Sequence, residues 1–156
     1  MSDQFKNIQQ VISSYIEISD EEWSYYSSML KVKTLKKKTT ILSEGTICKE
    51  VFFVNSGLLR IYFVDNNGEE KTFHFALEKT FATDYKSFLK EIPSNYSIQA
   101  MEDTEVLVMS LEMVQNGYEK LRFGEKLGRR IAEDYFCMFN DKIQAMYTQT
   151  PLERYN

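Results

Sequence analysis

The sequence predicts an α+β fold: N-terminal helices, an antiparallel β jelly-roll barrel and a long C-terminal helix. Three observations carry that expectation. Apolar residues recur at three and four over the first thirty positions, alternate in short stretches from Lys31 to Ser110, then return to helical spacing. Turn-forming residues punctuate the middle region at roughly eight-to-twelve-residue intervals, as closed or double-layered antiparallel sheets require. A chain of 156 residues, 43% of them hydrophobic, can bury the core of one compact domain with an appendage.

Taken in order, Phe5, Ile8, Val11, Ile12 and Tyr15 form the apolar face of a first helix. Ser19-Asp20-Glu21-Glu22 reads as the capped start of a second, with Trp23, Tyr26 and Leu30 as its buried stripe. Short strands follow around Val32 and Leu35, at Thr40-Ile41-Leu42, and from Glu50 into the Ser56-Gly57 turn. The next strand, from Leu58 to Val64, meets the hairpin turn Asp65-Asn66-Asn67-Gly68, from which Lys71–Ala76 returns antiparallel. Two more strands lie near Tyr96–Met101 and Val106–Ser110.

Ser110 caps a helical turn at Leu111–Val114, and a longer helix is expected from about Tyr118 to Tyr147, on the order of 45 Å long. That helix carries two apolar seams. Leu127, Ile131, Tyr135 and Met138 make one; Phe136, Phe139, Ile143 and Met146 make the other. A small barrel covers one seam, and a symmetry-related copy of the helix is the simplest cover for the other. The expectation is a homodimer, with Leu127, Ile131, Tyr135 and Met138 as its candidate interface. Gly124 and Gly128, one turn apart, either let two helices approach closely or loosen the entry to the helix.

Composition excludes several function classes. The formal net charge of −4 does not suit a surface that binds nucleic acid throughout. Lys31, Lys33, Lys36, Lys37 and Lys38 read as a solvated strand edge. No apolar run approaches the ~20 residues of a membrane span, and no secretory leader is seen at the N-terminus, so a cytoplasmic protein without membrane partners is expected. Two distant cysteines, Cys48 and Cys137, and one histidine, His74, fall short of an iron–sulfur site or a metal-dependent cupin, so no cofactor is expected. His74 reads as an ordinary strand residue. No nucleophile–base set or nucleotide-triphosphate loop is present, so the chain does not read as an enzyme.

The stretches Ile41-Leu42-Ser43-Glu44-Gly45, Val51-Phe52-Phe53-Val54-Asn55-Ser56-Gly57-Leu58-Leu59-Arg60 and Phe81–Ser110, in that order and spacing, resemble the effector domain of Crp/Fnr transcription regulators. The resemblance implies a cyclic-nucleotide-binding-like β-roll over residues 1–117, a dimerisation helix over 118–147, and a hinge leading into a DNA-binding domain over 148–156. Thr148–Asn156 resembles that hinge and the first turn beyond it, with Thr150 as cap and Pro151 at the new helix start. DNA contact is then expected only through a domain beyond these residues, as in a trimmed regulator.

In cyclic-nucleotide binders of this family a Gly-Glu pair holds the ribose, and an Arg-Ser/Thr-Ala triplet clamps the cyclic phosphate. Those places fall here on Thr83-Asp84 and Ser94-Asn95-Tyr96. Asp84 keeps a carboxylate, but Ser94 has no guanidinium for the bidentate phosphate bond, a loss of about 1.5–3 kcal/mol per bond. Thr83 stands where glycine would let the ligand close on the backbone. Lys86 is the one neighbouring cation that could substitute. The candidate ligand-binding residues are therefore Thr83, Asp84, Tyr85, Lys86, Ser94, Asn95 and Tyr96. Usual binding of cyclic AMP or cyclic GMP is not expected. An empty or aromatic-filled pocket and a pocket for a small apolar or neutral metabolite remain the alternatives at the site, and a cyclic-nucleotide or other small-molecule binding module with no DNA-binding output is the alternative for the chain.

Overall fold

The structure is a computed structural model and describes residues 3–155. Two helices lead: α1 (Lys6–Tyr15) and α2 (Asp20–Ser28). The expected cap at Ser19 is a full capping box. Glu22 N–H donates to the Ser19 hydroxyl at 3.2 Å, and Ser19 N–H donates to the Glu22 carboxylate at 2.9 Å. Eight strands follow: β1 (Lys31–Leu35), β2 (Thr40–Leu42), β3 (Glu50–Ser56), β4 (Leu59–Val64), β5 (Glu70–Ala76), β6 (Phe81–Ala82), β7 (Ser97–Ala100) and β8 (Thr104–Ser110). Short helix α3 (Tyr85–Lys90) lies between β6 and β7, and α4 (Leu111–Lys120) and α5 (Gly124–Thr148) close the chain.

The strands pair antiparallel in two four-stranded sheets, ordered β1-β8-β3-β6 and β2-β7-β4-β5. This is the jelly roll the alternation predicts. β1 is an edge strand, and its lysines are exposed there. The hairpin turn between β4 and β5 is held by Asp65 Oδ1, which accepts from Asn67 and Glu69 N–H at 2.9 and 3.0 Å.

Successive side chains of a strand point to opposite faces, and the first sheet is covered on both. From β3 and β8, Phe52, Val54, Val106 and Val108 turn inward to meet Leu59, Ile61 and Ile98 of the second sheet. Phe53, Leu107 and Met109 turn outward beneath Ile8, Ile12, Trp23, Tyr26 and Leu127. Double coverage lets β3 and β8 carry the continuous apolar runs Val51–Val54 and Val106–Met109, a local departure from the alternation expected of the region. Each large side chain so buried contributes about 1.5–3 kcal/mol.

The C-terminal region departs from expectation in two respects. The long helix begins at Gly124, not near 118, because Tyr118 belongs to α4 and the chain turns extended at Leu121. Phe123 causes that break by inserting its ring, 2% exposed, beside Tyr26. Arg122 fastens it through Glu22 of α2, with Nε and one terminal nitrogen 2.9 and 3.0 Å from the carboxylate oxygens. Close approach decides the other side of the elbow. A Cβ on Gly124 would overlap the Gly117 carbonyl, so α4 and α5 meet backbone to backbone.

The second departure concerns the seams. Leu127, Ile131 and Tyr135, expected at a dimer interface, instead pack on the chain's own core. Tyr135 fixes this choice, since its hydroxyl accepts from Phe81 N–H at 2.7 Å and donates to Phe81 C=O at 3.0 Å. Met138 is half-buried. The open seam holds Phe136, Ile143 and Met146, continued by Tyr147 at 88% exposure. Past α5, Thr150 N–H donates to Glu153 at 2.8 Å, and residues 153–155 form one 3-10 turn.

Candidate functional site

The cassette expected to hold a ligand lies at α3 and the loop after it. Asp84 is the N-cap of α3, its Oδ1 accepting from Ser87 N–H at 3.2 Å. Its Oδ2 accepts from the Ser94 hydroxyl at 2.7 Å, and that hydroxyl in turn accepts from Tyr96 N–H at 3.0 Å. Asp84 is 7% exposed and Ser94 2%, so the pair is closed to solvent. The Ser87 hydroxyl adds a strut to the barrel, accepting from Cys48 N–H at 2.9 Å and donating to Ile92 C=O at 2.6 Å.

Of the seven expected ligand residues, the structure thus joins Asp84, Ser94 and Tyr96 in one network. Thr83 is turned away, its hydroxyl donating to Glu50 C=O at 2.9 Å. Lys86 and Asn95 are exposed. The Tyr96 ring is half-buried and packs on Phe73 and Phe63, with centroids 5.1 and 6.2 Å away. Burial first, and the Asp84 charge second, push the Tyr96 hydroxyl pKa upward. Tyr85 stacks on Phe88 and hydrogen-bonds Tyr118 of α4.

Beside this network, between the barrel mouth, α4 and α5, lies a cavity of about 730 Å³. Its walls are almost wholly carbon. Ile61, His74 and Phe88 come from the barrel side, Tyr118 from α4, and Gly128 and Ala132 from α5. None of these six was expected as a site residue. The signal was present in part: Gly128 and Ala132 are small at positions where a helix facing a barrel normally carries large side chains. A Cβ on Gly128 would lie 2.7 Å from the Tyr118 hydroxyl oxygen, so the glycine is what admits that ring.

His74 sits at the rim, its Nδ1 2.5 Å from Lys142 Nζ on α5 and its ring edge-on to Phe139. Burial, then the Lys142 charge, push the imidazole pKa down to about 4, so it is neutral at pH 7 and accepts from the ammonium. Burial also lowers the Lys142 pKa. Among the described residues no group of three or more His, Cys, Asp or Glu is arranged to hold a metal. No described helix is long and apolar enough to cross a membrane.

Residues 32–120 match the cyclic nucleotide-binding domain family. This chain belongs to that family. The cyclic nucleotide-binding domain here is 26% identical over 105 residues to the anaerobic regulatory protein of Bacillus subtilis, a match covering 64% of this chain and 44% of that regulator. In structure it is similar to a cyclic nucleotide-binding domain from Methylobacillus flagellatus, with a TM-score of 0.80 at 17% identity, covering 94% of this chain and 84% of the other. It is also similar to the catabolite activator protein of Thermus thermophilus, with a TM-score of 0.71 at 18% identity, covering 85% and 62%. The resemblance to Crp/Fnr effector domains read from the sequence is borne out by these relatives.

Proposed function

We propose that this cyclic nucleotide-binding domain is the effector domain of a Crp/Fnr-type, cytoplasmic, non-enzymatic transcription regulator that does not take cyclic AMP or cyclic GMP at its cassette. One observation supports the reading: Ser94, at the place the family resemblance gives to the phosphate-clamping Arg, is buried and donates its hydroxyl to Asp84. A carboxylate is acceptor-only, and it would face the phosphate's own negative charge. Exposed Lys86 has no described contact that turns it inward. Thermal unfolding with and without cyclic AMP tests this. Midpoints should agree within about 1 °C up to millimolar nucleotide, whereas ligand at 100 times its Kd would add about 2.7 kcal/mol of stability. A clear rise at micromolar cyclic AMP sinks the reading.

Output is proposed to run through α5. Phe136, Ile143 and Met146, seven and three residues apart, lie with Tyr147 along one side of a 25-residue helix, as the seam of a helix pair does. A second copy of the same helix is the partner proposed, with movement of α5 passed to the 148–151 hinge and on to an appended DNA-binding domain. In sedimentation, the wild-type chain is expected at twice 18.4 kDa. The double variant Ile143→Glu/Met146→Glu should run as a folded monomer. A dimer that survives both charges rejects the interface.

A further inference from the structure

The cavity between the barrel and the α4–α5 elbow excludes the Asp84–Ser94–Tyr96 network, though Thr83 and Tyr85 of the expected ligand residues line it, and it makes its own chemical demand. At about 730 Å³ it falls within the size range of sites for drug-sized molecules. The polar groups in its wall are already engaged inside the protein. The Tyr26 hydroxyl donates to Met109 Sδ, the Tyr135 hydroxyl is bound at Phe81, and Thr83 is bound to Glu50 C=O. Arg129, the cation at its edge, is exposed and paired with Glu133 at 2.6 Å. What faces the space is therefore hydrocarbon, with the Tyr85–Tyr118 hydroxyl pair and the His74 ring as its polar points. An anion entering here would lose its hydration and gain no charge partner. An apolar molecule would lose only unfavourable contact with water.

Resting on the reading of this chain as an effector domain, we propose that the cavity binds an uncharged, largely apolar small molecule, wedged between the barrel and the Gly128–Ala132 face of α5. Such a ligand touches both sides of the elbow. Its binding is thereby linked to the seating of α5 on the barrel, the same helix that carries the open seam.

The neutral dye N-phenyl-1-naphthylamine is a suitable probe for the whole chain. Its fluorescence should rise saturably with one site per chain, and cyclic AMP should not displace it. Ala132→Trp, which fills the cavity, should abolish the rise; Ala132→Leu should weaken binding about tenfold. Ile143→Glu, on the open seam, should leave it unchanged. Should Ala132→Trp fail to fold by circular dichroism, Ala132→Leu decides. No saturable rise, a rise untouched by cavity filling, or one lost in Ile143→Glu but kept in Ala132→Leu overturns the proposal. Displacement by cyclic AMP overturns it too. Failure with the dye leaves the effector-domain reading standing, because that reading is tested separately by unfolding with the nucleotide.

Discussion

Gly124→Ala should be among the most damaging single-methyl changes available in this chain. The added Cβ meets the backbone of Gly117, with the carbonyl carbon only 2.6 Å away, and no rotamer can relieve a clash with main chain. Overpacking of this kind costs about 3 kcal/mol, and the helix propensity gained from alanine offsets at most ~1 kcal/mol of it. For a domain of this size each kcal/mol moves the unfolding midpoint by about 2–4 °C, so a fall of roughly 4–12 °C is expected by circular dichroism. Gly117→Ala is the matched control. Its Cβ would meet only a Leu121 methyl at 3.7 Å, an ordinary contact, so that variant should be neutral or slightly more stable. Equal midpoints for the two variants would show that the elbow is not closely seated.

The same elbow marks where sequence reasoning stopped. Nothing in Leu121-Arg122-Phe123 is a helix breaker, and there is no proline there. The break follows from burying Phe123 beside Tyr26 and from pairing Arg122 with Glu22, partners about a hundred residues earlier in the chain. Local periodicity carries no trace of either. The β-strands were legible for the opposite reason: alternation and turn chemistry are local, and both Ser19 and Ser110 act as the caps their neighbours imply.

The two seams of α5 lie between these cases. Spacing tells which residues share a face, but both faces are apolar, so it cannot tell which one meets the barrel. A single polar fact decides it, the Tyr135 hydroxyl reaching the Phe81 backbone. At the cassette the residue types were legible and their partners were not. Asp84 read as a holder of a sugar hydroxyl. Its two oxygens are instead committed to an N-cap and to Ser94, because a buried carboxylate without donors is far less stable than one with them. The cavity was hardest to foresee, since its wall is drawn from the barrel, α3, α4 and α5, and the room at Gly128 is taken by the Tyr118 ring.

That commitment of Asp84 gives the second large effect. Asp84→Ala removes the cap of α3, worth about 1 kcal/mol, and the bond from the Ser94 hydroxyl to a charged acceptor, worth about 1.5–3 kcal/mol more, leaving that hydroxyl only its contacts with the Tyr96 backbone. The unfolding midpoint should fall by roughly 5–16 °C. A simple cap elsewhere would lose only the first part, so the size of the effect already separates a network from a lone cap. The double variant Asp84→Ala/Ser94→Ala makes the distinction independent of size. If the two side chains act mainly on each other, the second substitution costs less once the first is made, and the double-mutant cycle gives a coupling of about 1 kcal/mol. Additive losses would mean the 2.7 Å contact contributes little, and the cassette would then be free to reorganise around a ligand. Strong coupling means the carboxylate and hydroxyl stabilise each other where a guanidinium and phosphate would otherwise meet, so any phosphate ligand must first break a bond on which the fold depends.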